Sequence, residues 1–88
     1  MIIGYSKRFN KNFQKRIAPN SKLVAHFLDR LQIFSSDPGH SLLKLHKLSG
    51  QLDNLYSFSV TGDIRVLFEK ISDNEVMLRD IGSHNQVY

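Results

Sequence analysis

The chain is 88 residues long, 41% hydrophobic and 23% charged, which fits one domain spanning 1–88 around a single small core. It contains no cysteine, so disulfides, thiolate metal sites and thiol catalysis are excluded. The formal charge is +4, and Lys7, Arg8, Lys11, Lys15, Arg16 and Lys22 all precede the first acid, Asp29. That skew suits a polyanionic partner, either nucleic acid or an acidic protein segment; a merely solvated basic helix face is the plainer alternative.

In chain order, "MIIGY" reads as a short strand, and Ser6 is placed to cap a helix by accepting a free N–H of its first turn. Phe9, Phe13 and Ile17 recur every four residues and make one apolar stripe bordered by basic residues. Pro19 breaks this helix, and Asn20 or Ser21 caps a second one with an apolar face of Leu23, Val24, Phe27, Leu28, Leu31 and Phe34. "SSDPG" (Ser35 to Gly39) ends it with turn formers. In "LLKLHKL" the period becomes two, which predicts Leu43 and Leu45 on one side and Lys44 and His46 on the other. "SGQLDN" reads as a loop.

Tyr56, Phe58 and Val60 then alternate with Ser57 and Ser59, as in a half-buried strand. Thr61-Gly62-Asp63 makes a turn, and "IRVLFEKI" and "EVMLRDI" follow as strands joined at Ser72-Asp73-Asn74. Hairpin-length gaps predict an antiparallel meander. The expected fold is therefore α+β: an N-terminal strand and a two-helix hairpin packed on one face of a twisted antiparallel β-sheet. Apolar runs are too short for a transmembrane helix, and "MIIGYSKRF" lacks the long apolar segment of a signal peptide. The expected location is the cytoplasm.

The sheet face away from the helices collects the chemistry. Alternation puts Asp63 and Arg65 on one side of their strand, Ser57 and Ser59 on the open side of the strand before, and Arg79 on that of the last; Lys44 and His46 join them. His26 and His40 read as structural. His46 and His84 both follow strand-like segments whose ends can meet across the sheet. Two histidines with Asp63 as the only near third group are a poor ligand set, so no metal or other cofactor is expected. The sequence carries no P-loop, G-x-G-x-x-G, H-E-x-x-H or G-x-S-x-G motif.

"LHKLSG", "SFSVTGDIRVLF" and "RDIGSHNQVY", in this order after a strand and two basic helices, resemble the RelE/ParE superfamily of bacterial toxins, in particular its YafQ-like branch. The resemblance spans essentially the whole chain. It implies a ribosome-dependent endoribonuclease that cuts mRNA and is neutralised by a cognate, RelB/DinJ-like antitoxin in an oligomeric complex. His46 matches the histidine of the branch's H-x-L-x-G segment, Asp63 its aspartate after the turn, and His84 the histidine of its G-[ST]-H segment. Tyr88 falls at a terminal aromatic, and Arg65 resembles the arginine that the RelE-like branch places near the scissile phosphate. The chain departs from the pattern twice, with Ser59 where the branch has a second histidine and Ile64 where it has an aromatic.

Metal-free RNA cleavage needs a base for the 2′-OH, positive charge for the phosphorane oxygens and an acid for the 5′-oxygen. Imidazole and guanidinium suit those needs. The resemblance thus implies a catalytic set of His46, Asp63, Arg65 and His84, with Lys44, Lys47, Ser59, Arg79 and Tyr88 binding substrate. Two other readings carry the same fold: a non-nucleolytic, ParE-like toxin that binds DNA gyrase, and a catalytically impaired homologue that only binds antitoxin.

Overall fold

The computed structural model describes residues 1–48 and 54–88. The expected loop over "SGQLDN", save Asn54, and the glycine of the H-x-L-x-G segment lie outside the described residues. The elements run β1 (Ile2–Tyr5), α1 (Lys7–Arg16), α2 (Ser21–Ser36), a 3₁₀ turn (Ser41–Leu43), β2 (His46–Lys47), β3 (Leu55–Ser59), β4 (Ile64–Ser72), β5 (Glu75–Ser83) and α3 (His84–Val87).

Both long helices start where capping chemistry puts them. Ser6 accepts the Phe9 N–H at 3.0 Å, and Asn20 accepts those of Lys22 and Leu23 at 3.0 and 3.2 Å. α1 has three faces at a spacing of four residues. Phe9 and Ile17 are buried, with Phe13 packed against the same core, and Arg8, Asn12 and Arg16 turn toward β5. Lys7, Lys11 and Lys15 are exposed. α2 contributes Phe27 and Phe34, and Phe34 stacks on Phe58 of β3 with centroids 4.6 Å apart.

The five strands are ordered β1-β5-β4-β3-β2. β2 to β5 form the antiparallel meander that the short gaps predict, and β1 adds to it in parallel on β5, with Ile2 opposite Glu75 and Tyr5 opposite Leu78. The sheet is therefore mixed, because α1 and α2 carry the chain back across it before β2 begins. Val66, Phe68, Leu78 and Ile81 face the helices and close the core with Phe58 and Leu43. Among the described residues no helix is long and apolar enough to cross a membrane.

"LLKLHKL" departs from the alternation. Ser41–Leu43 form the 3₁₀ turn, whose Leu42 N–H donates to His40 Nδ1 at 3.1 Å, and Lys44 follows in the left-handed region with φ 47°. The strand is cut to His46–Lys47. Leu43 is fully buried while Leu45 is exposed, so the two do not share a face. A single left-handed residue between them reverses the chain locally and breaks the period of two.

Candidate active site

The second face of the sheet is not the open polar surface that the alternation suggests. Ser57 and Ser59 lie on it and are buried, Ser57 under the side chains of Arg65 and Tyr88 and Ser59 beneath the turn that follows its strand. What remains open is a cleft of about 720 Å³ with a floor of Leu55 and Leu67. Lys44, His46 and Arg65 border it on one side, and His84, Val87 and Tyr88 on the other. The register explains this gathering. Ser57 is opposite His46 on β2 and Leu67 on β4, while Arg65 is opposite Gly82 on β5, one residue from the end of the strand that delivers α3.

Arg65 and Tyr88 form one connected cluster. Arg65 donates from Nη2 to Ser57 Oγ (3.0 Å) and to the Lys44 carbonyl (3.3 Å), and from Nε to Tyr88 Oη (3.1 Å) and Ser57 Oγ (3.3 Å). Tyr88 OH donates to Ser57 Oγ at 2.6 Å. His84 meets the Tyr88 ring edge-on, with centroids 4.5 Å apart and planes at 65°. The left-handed turn at Lys44 is what aims its carbonyl at the guanidinium.

α3 is tied down by its own first turn, where the Ser83 N–H donates to Gln86 Oε1 at 2.8 Å. Gly82 is needed here for space. A Cβ on it would stand 2.6 Å from Gln86 Oε1 and 2.8 Å from Arg16 Nη1, and its backbone is not left-handed.

Other expected site residues stand apart. Asp63 is exposed in the turn before β4, and its carboxylate makes no hydrogen bond among the described residues. Ser59 is buried beneath that turn and donates to the Thr61 carbonyl at 2.8 Å, so its hydroxyl is committed to the turn. Lys47 is opposite Tyr56, on the other face from His46. Arg79 is the extra residue of a bulge between Leu67 and Phe68, where its guanidinium pairs with Glu69. That bond, helped by Asn54 and opposed by partial desolvation, holds the Glu69 carboxyl below its ordinary range.

Two residues lie outside the expected catalytic and substrate-binding set. Ser57 is the hub of the Arg65–Tyr88 cluster. Asp80, 2% exposed, accepts from Asn12 Nδ2 at 2.7 Å and from Arg16 Nη1 at 3.4 Å, with Arg8 Nη2 3.4 Å from its other oxygen. The spacing of Arg8, Asn12 and Arg16, four residues apart beside the apolar stripe, was the available signal for a helix face turned to a buried acid.

No family model and no curated protein matches the sequence. Solved structures do. A YoeB/ParE toxin from Agrobacterium tumefaciens is 15% identical over 96% of this chain and 99% of its own, with a TM-score of 0.78. YafQ, in its complex with DinJ from E. coli, is 22% identical over 98% and 96%, with a TM-score of 0.71. The heterotetrameric YoeB–YefM toxin–antitoxin complex from Staphylococcus aureus gives 18%, 96%, 97% and 0.75 in the same order. These likenesses show that the chain has the RelE-like α+β toxin fold, with end-to-end coverage.

Proposed function

We propose that this chain is the toxin of a type II toxin–antitoxin module and a metal-free, ribosome-dependent endoribonuclease that cuts mRNA. The observation that carries this reading is the one cleft lined by His46 of β2, Arg65 of β4, and His84 and Tyr88 from α3 and its C-terminal end. The fold shared with toxins solved beside their antitoxins supports the first half.

In this mechanism the 2′-oxygen of the nucleotide before the cut attacks phosphorus, and the bond to the 5′-oxygen of the next nucleotide breaks. His46 takes the 2′-proton and His84 returns one to the leaving oxygen. Arg65 balances the charge that gathers on the non-bridging oxygens. Lys44, exposed on the cleft rim, adds a second cation. The Tyr88 ring, 48% exposed, offers a base a stacking surface. Asp63, exposed in the turn before β4 and outside the cleft lining, contributes charge at a distance. The lysine face of α1 suits ribosomal RNA or an acidic segment of the antitoxin, in an oligomeric complex.

Purified protein added to a translating extract is expected to give primer-extension stops within codons. His84→Gln should lower the cleavage rate at least about 100-fold. Inhibition of gyrase without RNA cleavage would replace this reading with the gyrase-binding one.

A further inference from the structure

We propose that Ser57 is a positioning residue: its buried hydroxyl sets the guanidinium of Arg65 and the phenol of Tyr88 for the phosphate of a bound RNA. The inference rests on the RNA-cleaving reading above. Ser57 is fully buried in the middle of the sheet, between His46 on one neighbouring strand and Leu67 on the other. Arg65 lies diagonally from it, two residues along β4 from Leu67, within reach of a long side chain.

A hydroxyl offers two acceptor positions. Arg65 Nη2 and the Tyr88 hydroxyl take those of Ser57, at 3.0 and 2.6 Å, and Nε divides its hydrogen between Ser57 and the Tyr88 oxygen. The Lys44 carbonyl accepts the remaining Nη2 hydrogen. One edge of the guanidinium is thereby fixed to protein. Nη1 has no hydrogen-bond partner among the described residues, and its two N–H groups are left for phosphoryl oxygens in the cleft that Arg65 lines. The same hydroxyl holds the ring whose edge contact orders His84.

A charge fixed in advance acts on the transition state more than on binding. Ser57→Ala should therefore lower the maximal single-turnover cleavage rate about 10- to 100-fold, while KM for mRNA-programmed ribosomes stays within about twofold. In an Arg65→Ala background the same change should cost less, no more than about tenfold, because only the Tyr88 phenol is left for Ser57 to position. Thermal unfolding checks that Ser57→Ala folds. Tyr88→Phe, which removes only the hydroxyl that Ser57 holds, carries the same test at a part-exposed position, with an expected loss of about tenfold. Wild-type maximal rates in both variants would overturn the role of Ser57 and leave the nuclease standing. A raised KM at unchanged rate would also overturn it, by making Ser57 a binding contact. A wild-type protein that cuts nothing would remove the nuclease reading and this inference with it.

Discussion

Asp80 shows how much one side chain can hold in a domain of this size. Its carboxylate joins Asn12, Arg16 and Arg8 of α1 to β5, and its Oδ1 also accepts its neighbour's N–H at 2.8 Å. Asp80→Ala leaves the partly buried Arg16 guanidinium without its counter-charge, and should cost about 3 kcal/mol in urea unfolding. Alternation, a property of the local chain, put Arg65 on the second face of the sheet, whereas His84 and Tyr88 entered the expected set through the family resemblance; with His46, all line one cleft. Asp63, Ser59, Lys47 and Arg79 were not separable from them by sequence. Their positions depend on a turn, a two-residue strand and a bulge, and each of those is set by long-range pairing rather than by neighbours in sequence.

At the scale of elements, the helices and the four-stranded meander were readable because capping residues and turn formers mark their ends. The parallel pairing of β1 was not, since nothing in "MIIGY" says which strand it joins. α3 is the element on which the site turns. It buries no residue of its own, yet it supplies His84 and, through Tyr88 just beyond it, the cover over Ser57. Removal of residues 84–88 should therefore cost only about 1 kcal/mol of stability and abolish cleavage. Gly82→Ala should act in the same direction more mildly. Gln86 and Arg16 give way as flexible chain ends, so the fold persists while α3 loosens and cleavage drops about tenfold. Melting curves and cleavage rates on the same preparations check both.

Across the whole molecule, charge is sorted onto separate faces of one helix. The arginines of α1 are spent on Asp80, whereas Lys7, Lys11 and Lys15 form an outward row with a spacing of about 6 Å per step. Replacing the three lysines with alanine should leave the melting temperature nearly unchanged. It should weaken ribosome binding and flatten the log–log dependence of affinity on salt by about 2 to 3. The parallel pairing of Ile2–Tyr5 with Glu75–Leu78 has a kinetic consequence as well. β5 is the last strand in sequence and lies between β1 and β4, so the opening residues wait through synthesis with no strand to join. Closure of that long loop and assembly of the cleft are then one late event, and refolding should be slower than a helical chain of equal length allows, in milliseconds rather than microseconds. Until that step, an unfinished or partly unfolded chain has neither its core closed nor its histidines in one place.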